Sequence, residues 1–313
     1  MAQMKVFAGR SNLPLARKIC KHLGCKLGRM EIAVFADGEI KPHVLENVRG
    51  VDVFIVQSFP PPAGNLLELL MIIDAMKRAS AERITAVIPY YGYARQDRKD
   101  EPRVPITAKL IADLLTTAGT DRVLAMELHA EQIQGYFDIP VDHLYSAPVV
   151  IEFLQRRRIP NLVVVAPDVG RVRRCRGIAK RLGDLPLAIV DKRRVGKNRV
   201  KAVNVIGQVR GKTALIYDDM IDTGGTILDA AEALKRVGAA RVMVTATHGV
   251  LSRDAAQRLC DSEIEQIVLT DTLDIPKTKL NAKIKVLSVS RLLAKAIRRI
   301  HLGQSVSKLF VEA

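Results

Sequence analysis

Short apolar runs alternate with helical patterns along this chain, and the alternation restricts the possible folds more than any other feature of the sequence. Each run has five or six residues and is rich in β-branched side chains, as is typical of buried strands. Strands that alternate with helices predict an α/β protein with mainly parallel sheets. The runs are Val53–Gln57, Ile84–Ile88, Arg122–Met126, Leu162–Ala166, Thr213–Tyr217 and Arg241–Ala246.

One segment of the first half recurs in the second half. The stretch Asp74–Tyr91 resembles Glu232–Gly249, and each reads as the end of a helix followed by a strand. The repeat predicts two copies of one α/β scaffold. Independent origin is the alternative, since basic residues late in a helix are common. The identical pairs are Ala75 and Ala233, Lys77 and Lys235, Arg78 and Arg236, Ala81 and Ala239, and Arg83 and Arg241.

The repeat and the turn-forming residues together predict the domain boundary. We expect one domain at residues 1–145 and a second at 146–313, divided after the stretch DIPVDHLYSAP. The segment SRLLAKAIRRI has helical periodicity. The last helix and the tail, at about 300–313, are expected to pack on the N-terminal domain.

The second copy contains a pattern that the first copy lacks, KTALIYDDMIDTGGT at Lys212–Thr226. Here Asp218 and Asp219 end an apolar strand, at the sheet edge where α/β proteins bind ligands. The loop that follows suits a phosphate, because its glycines let backbone N–H groups approach an anion and a helix begins beside them. The paired carboxylates suit pentose hydroxyls or a magnesium ion. The loop residues are Asp222, Thr223, Gly224, Gly225 and Thr226.

Composition favours an anionic small-molecule partner over a nucleic acid. The formal net charge is +16, but there is no Trp and only 4% of the residues are aromatic, so stacking platforms for bases are scarce. No apolar run approaches the roughly 20 residues of a membrane span. The start lacks the apolar core of a signal peptide, and the four cysteines lack metal-site spacing. These features predict a cytoplasmic protein that binds neither nucleic acid nor membrane.

Other segments suit phosphates or metals, although each also has an ordinary structural interpretation. Asp168 and His129 follow strands and suit magnesium, but alone they are more typical of a turn and of a hydrogen-bonded histidine. The basic stretch from Lys192, with Arg194, is either a cationic flap over a polyphosphate or solvated surface. Two further sets are candidates for binding a nucleotide: Arg95, Gln96 and Asp97, and Phe35, Asp37 and Glu39, where Asp-Gly equally indicates a hairpin turn.

The chain resembles the ribose-phosphate pyrophosphokinases, in particular the class that responds to phosphate and ADP. The resemblance runs essentially from end to end, and its motifs are more specific than the sugar-phosphate loop, which all type I phosphoribosyltransferases share. The matching segments are FADGE, YARQDRK, VPITAK, LHAEQIQGYFDIPVD, PDVG, DKRR, DDMIDTGGT, AKAIRR and SVSKLF.

The resemblance implies two tandem type I phosphoribosyltransferase-like domains and a reaction. In the family, the β,γ-diphosphoryl group of ATP passes to the C1 hydroxyl of ribose 5-phosphate, which gives AMP and 5-phosphoribosyl 1-diphosphate. In the family, 5-phosphoribosyl 1-diphosphate serves nucleotide, histidine, tryptophan and NAD synthesis. Phosphate and ADP act as allosteric ligands, and hexamers are the expected assembly.

Site roles carry over from the family by motif. Asp222–Thr226 would hold the 5-phosphate, and Asp218 and Asp219 the ribose hydroxyls. Asp168 and His129 would hold Mg²⁺, and Lys192 and Arg194 would stabilise the transition state. ATP would be bound by Arg95, Gln96 and Asp97 of one subunit and by Phe35, Asp37 and Glu39 of a neighbour.

The sequence also departs from the family pattern, at Glu127, Arg171 and Glu101-Pro102, where the family usually has Asp, Gly and a loop richer in Arg, Lys and Ser. Two other functions use part of the same pattern. A phosphoribosyltransferase would share Asp218–Thr226 without needing the nucleotide motifs, and a catalytically silent regulatory subunit of the same family would bind active partners.

Overall fold

The computed structural model describes residues 3–193 and 202–311, with side chains for all of these except 192, 193, 202, 203, 310 and 311. These residues fold as two units. The first unit contains residues 3–145, Thr272–Asp274 and the described residues from Ser288 onward, and the second contains Ser146–Asp271 and Ile275–Leu287. In the part of the chain that the structure describes, no helix is long and apolar enough to cross a membrane.

The first unit is built on a sheet of parallel strands in the order β1-β4-β5-β6-β7. Every residue of the strand Asp52–Val56 is buried, because helices cover the sheet, and this explains why the four residues after Asp52 are all apolar rather than alternating. The strands are β1 (Met4–Ala8), β4 (Asp52–Val56), β5 (Arg83–Ile88), β6 (Arg122–Met126) and β7 (Val141–Leu144).

A separate antiparallel hairpin lies between β1 and β4 in the chain. It consists of β2 (Met30–Val34) and β3 (Ile40–Val44). The segment 35–39 forms the turn, in which Gly38 has a φ of +95°, a conformation that glycine adopts without steric cost. The hairpin interpretation of Asp-Gly is therefore confirmed.

The helices of the first unit come from both ends of the chain. The helix α8 packs against α1, and its buried face includes Leu293, Ile297 and Ile300. The end of α8 is also held by a polar network, in which Asp52 accepts hydrogen bonds from Arg83 and its Oδ2 lies 2.7 Å from His301 Nδ1. The helices are α1 (Leu13–Leu23), α2 (Gly64–Arg78), α3 (Thr107–Ala118), α8 (Ser290–His301) and α9 (Lys308–Val311).

The second unit has a larger sheet in the order β10-β9-β8-β11-β12-β13-β14. All its neighbouring strands are parallel except β9 and β10. The strands are β8 (Leu162–Ala166), β9 (Leu187–Arg193), β10 (Ala202–Ile206), β11 (Thr213–Ile221), β12 (Arg241–Gly249), β13 (Gln266–Thr270) and β14 (Ile284–Leu287). The helices are α4 (Ala147–Arg157), α5 (Val172–Arg181), α6 (Gly225–Arg236) and α7 (Ala255–Asp261).

Both sheets contain the same arrangement of five parallel strands. The order β8-β11-β12-β13-β14 in the second unit corresponds to β1-β4-β5-β6-β7 in the first. An antiparallel pair also follows the first of these strands in each unit, namely β2 and β3, and β9 and β10. The mainly parallel α/β architecture that the sequence predicts is confirmed.

Two strands are longer than the sequence predicts. We expected strands at Thr213–Tyr217 and Arg241–Ala246, whereas β11 continues to Ile221 and β12 to Gly249. The added residues pair with each other, as Met220 with His248. The acidic pair therefore lies within β11 rather than after it.

Candidate active site

The second unit brings Asp218 and Asp219 together with Asp168 at the carboxyl edge of two neighbouring strands. The register of β8 against β11 pairs Val165 with Ile216, so Asp168, which follows β8, lies at the same edge as Asp218 and Asp219 in the last part of β11. Only 2% of the Asp219 side chain is exposed, and the backbone N–H of Asp219 donates to Asp218 Oδ1 over 2.8 Å. The site is thus a largely buried set of carboxylates.

One arginine binds both members of the acidic pair. Nε of Arg171 lies 3.1 Å from Asp218 Oδ1, and Nη2 lies 2.6 Å from Asp219 Oδ1. The backbone N–H of the same arginine donates to Asp168 Oδ1 over 3.1 Å, as Asp168 caps a short 3-10 helix at Val169–Arg171. Sequence analysis noted Arg171 only as a departure from the family. The signal for its role was an arginine three residues after Asp168, at the start of the basic stretch Arg171–Arg181.

The buried charges change the pKa values of this site. Burial, followed by the negative charge of Asp219, raises the pKa of Asp218 to about 8, although the Arg171 guanidinium acts in the opposite direction. Burial and then Asp218 raise the pKa of the nearby Cys175 thiol to about 12. The neutral thiol lies near the backbone oxygens of Val165 and Tyr217. The acidic pair therefore favours a cation as neighbour.

The phosphate-loop candidate forms the connection from β11 into α6. Gly224 is the N-cap of α6 and has a φ of +78°, a value that explains why this position is glycine. Contacts outside the loop fix its backbone, because Asp222 O accepts from Ser252 N and Thr223 O accepts from Arg258 Nη1. Thr223 and Thr226 are exposed. A helix that begins beside exposed hydroxyls is suited to an anion.

The candidate nucleotide residues of the first unit differ in exposure. Arg95 and Gln96 are exposed, whereas Asp97 is buried. The Asp97 carboxylate accepts from Gln132 Nε2 over 2.5 Å, and its backbone oxygen accepts from the Tyr136 hydroxyl. These bonds fix the loop that carries Arg95 and Gln96. In the structure, Asp97 thus holds the loop in place, whereas Arg95 and Gln96 are the residues that the loop exposes.

His129 lies three residues beyond β6, in a half-buried position. The segment before it is held by His143, whose Nε2 accepts from Leu128 N over 2.8 Å. The backbone of the buried Glu127 turns sharply there, with a φ of +47°. Sequence analysis missed His143, which only its position in the adjacent strand β7 would have indicated.

The remaining candidates lie in the hairpin turn and at the edge of the described residues. Phe35, Asp37 and Glu39 belong to the turn between β2 and β3, with Phe35 49% exposed and Asp37 accepting from Glu39 N. The side chain of Lys192 and the whole of Arg194 lie outside what the structure describes.

The carboxylates of the second unit fit a magnesium ion by their chemistry. Among the described residues, no three His, Cys, Asp or Glu side chains form a ready metal-binding group. Magnesium, however, commonly takes only one or two carboxylates and completes its shell with water and substrate phosphates. The Asp218–Asp219 pair supplies hard oxygen ligands. Burial and then the charge of Asp219 raise the pKa of Asp218, and a divalent cation at the pair would favour its ionised form.

Comparison with known proteins places both halves of the chain in one family. A family profile described as the N-terminal domain of ribose phosphate pyrophosphokinase matches residues 4–119, and one described as a phosphoribosyl synthetase-associated domain matches residues 191–311. A ribose-phosphate pyrophosphokinase of Caldanaerobacter subterraneus is 54% identical over 309 residues and covers 98% of both chains. A ribose-phosphate pyrophosphokinase of Rhodopirellula baltica is 54% identical over 316 residues, an alignment that covers 100% of this chain and 100% of that protein.

A solved structure is similar over the same extent. The phosphoribosylpyrophosphate synthetase of Mycobacterium smegmatis is 44% identical, with a TM-score of 0.91 over 96% of this chain and 99% of that one. Full-length identity at this level, together with the matching profiles, establishes the relationship. The chain belongs to the ribose-phosphate pyrophosphokinase family.

Proposed function

We propose that this protein is a ribose-phosphate diphosphokinase, which transfers the β,γ-diphosphoryl group of ATP to the C1 hydroxyl of ribose 5-phosphate. The C1 oxygen attacks the β-phosphorus, the bond between that phosphorus and the α,β-bridging oxygen breaks, and AMP leaves. The proton of the C1 hydroxyl passes to water, which balances the reaction. The other product is 5-phosphoribosyl 1-diphosphate.

One observation carries this proposal. A buried acidic pair lies near the end of β11, two residues before a loop whose Gly224 caps helix α6, in a chain that belongs to this family. The loop suits the phosphate at one end of the sugar, and the carboxylates suit the hydroxyl groups that follow it. A bound sugar would thus be fixed at both ends, which leaves its C1 hydroxyl oriented for attack.

The roles of individual residues follow from this arrangement. Thr223, Thr226 and the backbone N–H groups of the loop would bind the 5-phosphate. Asp218 and Asp219 would accept hydrogen bonds from the ribose hydroxyls. The remaining loop positions, Asp222, Gly224 and Gly225, would shape the anion site.

A magnesium ion would be held by carboxylates of the second unit, with Asp168 nearest to the C1 oxygen. When bound, it offsets the negative charge of the transferred phosphates and polarises the phosphoryl group. His129 would serve the ATP phosphates in the first unit. The hard oxygen donors of the acidic pair support the magnesium proposal for the second unit.

ATP would be bound by the first unit through Arg95 and Gln96, on the loop that Asp97 fixes. Phe35, Asp37 and Glu39 would contact the adenine from a neighbouring subunit, and the exposure of Phe35 supports this. Lys192 and Arg194 would stabilise the charge of the transition state, as the family motif implies.

We also propose that the protein is a homo-oligomer. Large apolar side chains are exposed on two packed helices of the first unit, Leu67 and Met71 on α2 and Leu110 and Leu114 on α3. Each pair is spaced by four residues and so lies on one helix face. Apolar faces of this kind are typical of subunit contacts. A hexamer, with phosphate and ADP as allosteric ligands and a cytosolic location, is the form that the family resemblance implies.

The test is product analysis with the full chain, ATP, Mg²⁺ and ribose 5-phosphate, separated by chromatography. The proposal predicts AMP and 5-phosphoribosyl 1-diphosphate in equal amounts, and light scattering on the same sample measures the assembly. Parallel reactions with inorganic phosphate or ADP test the allosteric ligands.

Other products would contradict this proposal and indicate a different activity. ADP would identify an ordinary kinase, and release of diphosphate from 5-phosphoribosyl 1-diphosphate on addition of a base would identify a phosphoribosyltransferase. No turnover in a folded oligomer would favour the regulatory subunit.

A further inference from the structure

Arg171 contacts the three carboxylates to which the proposed function assigns the ribose hydroxyls and the magnesium ion. Its guanidinium binds Asp218 and Asp219, and its backbone N–H binds Asp168. The guanidinium is not on the surface, since only 13% of the side chain is exposed. The positive charge is therefore inside the acidic site rather than beside it.

The position of the guanidinium has an electrostatic reason. Two carboxylates on consecutive residues, both largely withdrawn from water, repel each other and lack solvation. A guanidinium stays charged under all ordinary conditions, and its planar fork can bind two carboxylates at once. Arg171 thus supplies within the protein the charge that a divalent cation would otherwise supply.

Because of these contacts, Arg171 competes with the proposed ligands for the same carboxylate oxygens. A guanidinium 2.6 Å and 3.1 Å from the two carboxylates occupies the side on which Asp219 Oδ1 and Asp218 Oδ1 would face a cation or a sugar hydroxyl. A magnesium ion bound to those oxygens would stand close to a like charge in a largely buried site. Both cations are unfavourable there together.

We propose that Arg171 is an internal counter-cation, which occupies the acidic pair until a divalent cation and the sugar phosphate bind and which must withdraw as they do. The inference rests on the proposed function of Asp218 and Asp219. By linkage, whatever free energy the arginine contacts contribute to the empty site is subtracted from cation binding. The site then requires more magnesium than its carboxylates alone would require.

The test measures the melting temperature of the full chain during a titration with Mg²⁺ alone, without nucleotide or sugar. Wild type is compared with Arg171→Ala. Without Mg²⁺ the variant should melt at a lower temperature, because the buried carboxylates have lost their counter-charge. The Mg²⁺ concentration that gives half of the stabilisation should fall by about tenfold, since ion and arginine no longer compete.

Two further variants make the comparison specific. Arg176→Ala removes a positive charge from an exposed position on the same helix, α5, and should leave both the melting temperature and the Mg²⁺ midpoint near those of wild type. Arg171→Gln keeps a long polar side chain but removes the charge, and should lower the midpoint as the alanine variant does. It also provides the measurement if Arg171→Ala does not fold.

The outcomes separate this inference from the proposed reaction. An unchanged or raised Mg²⁺ midpoint in both Arg171 variants would overturn it. If those variants also lost AMP formation, Arg171 would instead act on the transferred phosphates. The Mg²⁺ titration does not depend on turnover. If the wild type formed no AMP, the proposed diphosphokinase activity would be refuted, and the Mg²⁺ midpoints would still test the proposed role of Arg171.

Discussion

At the scale of single residues, the acidic pair is the most unusual feature of the second unit. Carboxylates are rarely buried unless they are paired or bind a metal, yet Asp218 and Asp219 are both buried within a strand. Of the two, Asp219 is the more enclosed and makes the shorter contact with Arg171. Its charge is therefore the better target for substitution.

We expect Asp219→Asn to weaken binding of ribose 5-phosphate. The amide keeps the size of the side chain but removes the charge that strengthens hydrogen bonds from the sugar hydroxyls, at a cost of roughly 1.5–3 kcal/mol, or about 10- to 100-fold in half-saturating ribose 5-phosphate. Steady-state AMP formation at varied ribose 5-phosphate measures this. Asp254→Asn, at an exposed position, is the control. An unaltered saturation curve for Asp219→Asn would remove this carboxylate from the sugar site.

Gly224→Ala should lower the free energy of unfolding by about 1 kcal/mol, because an L-residue at a φ of +78° is strained. The strain is in the backbone alone, as the added Cβ would be 3.5 Å from its nearest neighbour, Leu259, an ordinary contact. Gly225→Ala is the matched comparison, with nothing closer than 3.9 Å and no positive φ. Equal stability of the two variants in urea unfolding would contradict the prediction.

At the scale of elements, the helix α8 shows how a polar network fixes one end of a segment. Asp52, at the start of β4, accepts from Arg83 at the start of β5 and pairs with His301 at the end of α8. Arg83 Nη2 also donates to Ile300 O over 3.2 Å. One buried carboxylate therefore joins two strands and a helix that are far apart in the chain.

We expect Asp52→Ala to lower the free energy of unfolding by about 2–3 kcal/mol, since it leaves a partly buried arginine without its partner. The comparison is Asp74→Ala, which removes an exposed pair with Arg78 on α2 and should leave stability close to that of wild type. Chemical denaturation monitored by far-UV circular dichroism gives both values. If both variants were equally stable, the network would not support α8.

The elements differ in how far their sequence predicts them. The strands Arg122–Met126 and Leu162–Ala166 were predicted with their observed bounds, because each contains at least four consecutive apolar residues. β11 was predicted too short, because Asp218 and Asp219 are charged and look like the end of a strand. The strand continues because Asp218 pairs with Ala246 and Met220 with His248 of β12, and these pairings are not local in sequence.

The parts of the site that were predictable are those formed by residues close together in the sequence. The phosphate loop is one continuous segment, and its glycine at positive φ follows from residue type. Arg171 and His143 act through contacts between neighbouring strands, so only the fold brings them to the acidic pair and to the segment before His129. The assigned roles of the site residues remain predictions.

At the scale of the whole molecule, the two units share one strand order but differ in the residues that are suited to bind a ligand. Both contain five parallel strands in corresponding order, but the acidic pair and the glycine loop occur only in the second. The first instead has the segment SFPPPAG after the corresponding strand. The proposal accordingly assigns ribose 5-phosphate to the second unit and ATP to the first.

Ribose 5-phosphate alone should therefore slow amide hydrogen exchange in residues 218–228 and leave the first unit unchanged, because binding stabilises only the backbone that it orders. Mass spectrometry of peptides after exchange measures this. Ribose without the phosphate is the control and should have little effect, since it lacks the group that the loop holds. Protection found mainly in the first unit would reverse the assignment.

The return of α8 to the first unit affects how the protein is made. A ribosome releases the chain from its N-terminus, and domains usually fold in that order. Here Leu293, Ile297 and Ile300 belong to the interior of the first unit but are synthesised after nearly the whole second unit. Helix α1 is therefore synthesised long before α8, the helix against which it packs. The N-terminal unit can therefore complete its packing only after α8 has been made, and until then the apolar surface that α8 covers lacks that partner.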